Sequence, residues 1–223
     1  MVFEAFRRGG PSIDKMVDHV AEMLGHARHV FDAAMSALLA GADPDALADD
    51  IFGTDRIINE LEREVRRELV VHTSVRGTTD ITSVLVVLMV SRKVERIGDN
   101  AKNIYDLATY GVNLAGADDF DELRAARDEV STMMFEAASI FREDDVETAE
   151  PFLTRSRELQ RIYDDKVVDL VKAESSAHYA VPRALLYRYL KRIVANLEGV
   201  VAGVVQPLDL IDYSPDGTEE SET

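Results

Sequence analysis

Between Val87 and Ala108 apolar or small side chains return at steps of three and four: Val87, Val90, Val94, Ile97, Ala101, Ile104 and Ala108. At about 100° per residue these positions share one face, so the stretch reads as an amphipathic helix with its seam packed in a bundle. Other stretches repeat that spacing, and none alternates with the period of two that a half-buried strand requires. Helical seams laid against one another are the only core such a chain can build, and the expected fold is all-α.

Turn signals divide the chain into six helices. The first is expected after Ser12 as N-cap and runs to Gly41, with Ile13, Met16, Val20, Leu24 and Val30 on its seam. The second opens at Asp43-Pro44, with proline in the first turn and Gly53 as a weak point. The third starts near Thr79-Asp80 and ends around Gly111. After the Gly116–Asp119 break, a fourth is expected from Asp121 to Arg142 and a fifth from Val146 to Ala173, with Pro151 in its first two turns. The sixth is expected to begin near Pro182 and to stop before Pro207. Ser214 to Thr223 is acidic and polar, and is expected to be a flexible tail. The two halves repeat in outline, with Arg96-Ile97 answered by Arg192-Ile193 at an offset of 96 positions. The expected organisation is a three-helix repeat over residues 12–113, a second, degenerate one over 119–207, and a tail over 208–223.

Charge narrows the possible partners. The 223 residues carry 25 basic and 42 acidic side chains, a net of −17, which repels nucleic acid and anionic lipid. With no cysteine there are no disulfides, thiolate metal sites or cysteine nucleophiles. Arg7 and Arg8 have no apolar stretch behind them, so no signal peptide is read, and Val84–Val90 is far shorter than the ~20 residues of a membrane span. A soluble, cytoplasmic protein is expected.

The polar residues of the third helix follow a rule of their own. Glu95, Asp99 and Asp106 line up away from the seam, on what reads as an exposed face. Carboxylates at i and i+4 can chelate a cation, and the same spacing equally suits salt bridges to Arg92, Arg96 or Lys102. On the first helix His19, Glu22, His26 and His29 cluster, but i, i+7 is too long a reach for two ligands of one ion. Arg56, Arg63, Arg66 and Arg67 alternate with glutamates, which favours pairing within their helix over phosphate binding. Gly98 inside a helix points to a close helix crossing. No P-loop, Gly-x-Ser-x-Gly or His-Glu-x-x-His is present, and no nucleophile sits beside an evident base, so the expectation is a non-enzyme.

The run Glu95-Arg96-Ile97-Gly98-Asp99-Asn100-Ala101-Lys102-Asn103-Ile104, closing the first of two three-helix units, resembles the PhoU family of phosphate-uptake regulators. The resemblance extends from about Ile13 to Gln206. Asp55-Arg56-Ile57-Ile58-Asn59-Glu60-Leu61-Glu62 is similar to the family's acidic helix, which usually reads Asp-x-x-x-Asp. The resemblance implies a surface cluster of iron- or zinc-type metal ions in each repeat. It also implies a go-between role, restraining a phosphate transporter and its sensor kinase when phosphate is plentiful. This chain departs from the pattern. Asn59 replaces one carboxylate, and the second repeat has Ser156 with Gln160 and Lys191 with Ala195 at the matching places. The candidate metal set is therefore Asp55, Asn59, Glu62, Glu95 and Asp99, holding at most a weakly bound divalent or iron/zinc-type ion in the first repeat.

The expected function is regulation of phosphate uptake and starvation signalling through contact with a phosphate transporter ATPase subunit or a sensor. A homodimer is expected, without nucleic acid and without membrane insertion. Two other readings stay open: an accessory helical adaptor of another ion transporter, and a carboxylate-bundle metal-binding protein. Against the latter stands the lack of an inward Glu-x-x-His.

Overall fold

The computed structural model describes residues 10–211, so the expected tail from Ser214 onward lies outside the described residues. Six long helices follow in order: α1 Pro11–Ala40, α2 Pro44–Arg76, α3 Ile81–Thr109, α4 Phe120–Glu143, α5 Val146–Lys172 and α6 Ala177–Val205. A 3-10 turn, Leu208–Leu210, follows. No strand occurs among the described residues. The all-α, six-helix expectation holds.

Two helix starts lie earlier than expected. Pro11 opens α1 with Gly10 before it, so Ser12 falls inside the first turn instead of capping it. Proline is pre-set for that position, because its missing N–H would be unpaired there anyway. Helix α6 begins at Ala177, where Ser176 Oγ accepts from the Tyr179 amide at 3.2 Å. Pro182 is thus tolerated within the helix. It interrupts the amide ladder near its start, where few bonds are lost. Asp43 caps α2 as expected, accepting from the Asp45 amide at 3.1 Å, and α2 runs through Gly53 without a break.

The two three-helix halves share a single core. Helices α1, α3, α4 and α6 form the central layer, with α1 packed on both α3 and α4, and α6 on both α3 and α4. Phe31, Met35, Val94, Ile97, Met134, Leu190 and Ile193 are fully buried there. Three loop contacts lock the layer. Leu114 donates its amide to Leu38 O at 2.8 Å. Arg183 holds Asp119 through two bonds of 2.7 Å, and its guanidinium stacks 3.8 Å from the Tyr179 ring centroid. Ile211 is buried and Leu208–Leu210 touches α3, so the first residues of the expected tail belong to the fold.

The outer helices differ. Helix α2 packs on both α1 and α3, with a seam buried from Ile51 through Ile58 and Val65 to His72. Helix α5 packs on α6 and only thinly on α4, and its fully buried residues stop at Tyr163. At the α2–α3 turn, buried His72 pairs with Asp80 at 3.1 Å, a specific contact beyond the helix-end dipole that its position suggests.

Candidate functional site

The acidic stripes of α2 and α3 meet along the crossing of these two helices. Gly98 makes the close approach possible: a Cβ there would sit 3.2 Å from Ile58 Cδ1. Tyr105 hydroxyl donates to Pro44 O at 2.8 Å, and its ring meets Phe52 edge-on with centroids 5.9 Å apart, pinning one end of the pair. Asp55, Asn59 and Glu62 on α2 thus come beside Glu95 and Asp99 on α3.

Their surroundings differ from the open face read from the helical wheel. Glu62 is buried and the Glu95 side chain is 14% exposed, while Asp99 remains half exposed. The wheel places Glu95 opposite its own helix's seam, but α2 lies over that flank and covers it. Asp106 is half-buried farther along α3 and outside the cluster.

Cationic side chains already occupy this polar seam. Lys102 Nζ bridges the two helices, 2.9 Å from Asp55 Oδ1 and 3.0 Å from Asp99 Oδ1. Arg66 pairs with Glu62 Oε1 at 2.5 Å. Arg92 lies 3.1 Å from Glu95 Oε2 and 3.9 Å from Glu62 Oε1. The Arg92–Glu95 pair is close in distance but not aligned as a hydrogen bond, and Glu95 Oε2 stays without a hydrogen-bond partner. Asn59 turns its amide nitrogen toward Asp55, donating to the carbonyl at 2.9 Å and to Oδ2 at 3.2 Å.

The titration behaviour follows from these contacts. Burial, then the neighbouring Asp99 carboxylate, push the Glu95 carboxyl above its usual range, and Arg92 only partly opposes them. Burial alone would lower the Lys102 ammonium, but its bonds to Asp55 and Asp99 outweigh that and raise it.

The resemblance implies a metal at this place, and the donors as arranged do not fit one. Asp55, Asp99, Glu62 and Glu95 each face an ammonium or guanidinium, and the Asn59 amide oxygen is not the group turned into the cluster. Among the described residues, no three His, Cys, Asp or Glu side chains gather in a group that could hold a metal ion. The lysine does here what a cation would do, joining carboxylates of two helices. Of the readings open for this spacing, the structure shows the salt bridges from Arg92 and Lys102.

The place that the sequence offset matches to this one in the second half carries inverted charge. An offset of 96 turns Lys102 into Glu198 and Glu95 into Lys191. Glu198 accepts from Arg157 at 2.9 Å and from Gln160 at 2.6 Å, and Lys191 pairs with Asp164 at 2.5 Å. Ser156 is fully buried and donates to Leu153 O at 2.9 Å. The other groups flagged by the sequence pair locally: His26 lies 3.7 Å from Glu22, and His29 lies 2.7 Å from Asp50. His19 lies 3.7 Å from Glu68.

Sequence reasoning missed the α4/α5 side of the molecule. There Tyr187 hydroxyl meets Glu122 at 2.5 Å, and Lys166 meets the same carboxylate at 2.9 Å. The small pair Ala125-Ala126 on α4 was the available signal, since small side chains where two helices should meet leave a gap.

Comparisons with known proteins agree with this architecture. The family model for the PhoU domain matches residues 20–108. A phosphate-specific transport system accessory protein, PhoU homolog 1 of Thermotoga maritima, is 30% identical over 96 residues, which are 43% of this chain and 40% of that protein. The crystal structure of PhoU from Pseudomonas aeruginosa superposes with a TM-score of 0.73 at 22% identity, covering 87% of this chain and 95% of that one. The phosphate transport system regulatory protein PhoU from Streptococcus pneumoniae gives 0.68 at 18% identity, covering 86% and 95%. These two likenesses establish the fold. Residues 20–108 match the PhoU domain, and the chain as a whole carries a six-helix fold like that of the PhoU crystal structures, while it spans about 40% of the length of the curated relative it matches.

Proposed function

We propose that this chain is an accessory regulator of phosphate uptake and phosphate-starvation signalling, working by protein–protein contact with a phosphate transporter ATPase subunit or a sensor. The observation that carries this reading is the PhoU domain over residues 20–108, which contains both acidic motifs and the Gly98 crossing. The names of the relatives supply the process. Physical features are consistent with a contact role. The net charge of −17 keeps the chain off nucleic acid and anionic lipid, and no described helix is long and apolar enough to cross a membrane. In this reading Lys102, not a metal ion, neutralises the first-repeat carboxylates, and regulation proceeds without bound metal.

Deleting the gene tests the role. Phosphate uptake under phosphate-replete conditions is expected to rise, and complementation should restore it. Affinity capture from phosphate-replete cells is expected to recover transporter or sensor components. Unchanged uptake together with recovery of a different ion transporter would replace this reading with the adaptor one.

A further inference from the structure

Helices α4 and α5 touch only thinly, which leaves a groove between them. Two clefts open along it. The larger, about 520 Å³, is walled by Ala125 and Ala126 of α4 and by Leu159 and Ile162 of α5, over Tyr163 and Tyr187. That volume is typical of sites that receive a partner group. The second, about 410 Å³, lies farther along between Phe135 and Ile140 of α4 and Pro151 and Phe152 of α5. Between the clefts Arg155 reaches across to Glu129 at 3.3 Å and to Glu136, and Lys166 reaches Glu122 beside the larger cleft. Partly exposed ion pairs therefore span a gap that apolar packing closes between α1 and α2. Such partly exposed pairs hold weakly.

Tyr163 provides a second, independent observation. It is 3% exposed, its ring lies 5.8 Å from that of Tyr187, and its buried hydroxyl has no hydrogen-bond partner. The hydroxyl also feels Glu129, another wall residue, whose charge adds to burial in keeping the phenol protonated. A buried donor left unpaired is costly, and an arriving acceptor relieves that cost.

We propose that this groove receives an amphipathic helix of a partner protein. The partner helix carries two apolar anchors about two turns apart, an Asn or Gln acceptor beside the anchor over Tyr163, and Lys or Arg on its flanks. The anchor spacing follows from the clefts. Leu159 and Phe152 stand two turns apart on α5, roughly 10 Å at helical rise, which matches anchors at i and i+7. The flanking charge follows from the α4 wall, where Glu122, Glu129 and Glu136 recur every second turn on a chain of net −17. Basic flanks are steered to that stripe and can exchange with Arg155 and Lys166 for its carboxylates. The inference rests on the reading of this chain as a contact protein, but not on which transport system it serves.

The probe is a fluorescein-labelled synthetic helix of roughly 18 residues with Leu at two positions seven apart, Gln beside one of them and Lys and Arg on the flanks. It is titrated into the full chain and followed by fluorescence anisotropy, beside a permuted peptide of the same composition. Saturable binding is expected for the patterned peptide only. It should weaken about tenfold with Ala126→Trp, which fills the larger cleft, and about threefold with Tyr163→Phe. Ile162→Glu, at a position already 42% exposed, should weaken it as much as the filling variant and keeps the test valid if Ala126→Trp fails to fold. Equal binding of the permuted peptide, no saturable binding, or indifference to Ile162→Glu would overturn the proposal. So would a dimer of the full chain that Ile162→Glu dissociates, because the groove would then belong to a second copy. Peptide binding and the uptake response to deletion are separate readouts, so failure of one reading is told apart from failure of the other.

Discussion

Helices α2 and α5 hold matching places in the two halves, but they are secured in different ways. Helix α2 is clamped by apolar contact with two neighbours, and the polar residues along its α3 edge are drawn into a seam where Lys102 joins carboxylates from both helices. Helix α5 leans on α6, reaches α4 through exposed ion pairs, and leaves clefts beneath them. At the equivalent crossing the charges are reversed, with Glu198 held by Arg157 and Gln160. The two three-helix halves, expected from the sequence as repeats, thus differ in the chemistry of their polar edges. The path of a helix is set by buried apolar positions and the polar edge is not, so the edge is free to differ.

The largest expected effect tests the clamp against the lean. Ile58→Ala removes a side chain that is 1% exposed at the Gly98 crossing, and should cost about 3 kcal/mol in urea unfolding. Leu159→Ala trims a partly buried wall of the open groove and should cost about 1 kcal/mol. Equal losses would erase the distinction between the two helices.

Lys102→Ala comes next. It leaves Asp55 and Asp99 facing each other with Glu95 nearby, and should cost about 1–2 kcal/mol, between the values for exposed and buried pairs. The freed carboxylates should then bind Ca²⁺ at about millimolar concentration, with the unaltered protein at least about tenfold weaker by calorimetry. Comparable Ca²⁺ affinity in both proteins would show that the lysine does not stand in for a cation. Glu198→Ala, in the charge-reversed crossing, should create no cation affinity.

A smaller effect concerns pH. Because the Glu95 carboxyl is raised in the folded state, its ionisation favours unfolding. Stability is therefore lost as pH climbs from the ordinary carboxylate value through the raised one. Glu95→Gln removes that loss, so the two stability curves should converge in acid and separate by less than about 1 kcal/mol at neutral pH, with the variant the more stable. A variant less stable than the parent at neutral pH would show that Arg92 more than offsets burial. The smallest effect belongs to Lys191→Ala, whose partner Asp164 is 45% exposed. It should cost about 0.5 kcal/mol, and salt should abolish the difference.

The helical layout was legible from residue order because seam periodicity, Asp43-Pro44 and the Gly116–Asp119 break are local signals, read from a few neighbours at a time. The two misplaced starts, at Pro11 and Ala177, turn on which side chain or backbone group satisfies the first amides, and several residues could have done so. The candidate carboxylates were also visible, together with Arg92 and Lys102 as the rival explanation. Whether a wheel position is exposed, however, depends on the neighbouring helix. Glu95 faces away from its own seam and is still covered, because the Gly98 crossing brings α2 across it. The same holds for the open α4/α5 groove: Ala125 and Ala126 signal a gap only once the α5 axis is placed. Sequence by itself determined six helices, their seams, the charge of the chain and the residue types on each edge, since these follow from local periodicity and composition. Tertiary structure alone decided which cation meets which carboxylate and which seam stays open, since those depend on distances of a few ångströms between residues far apart in the chain.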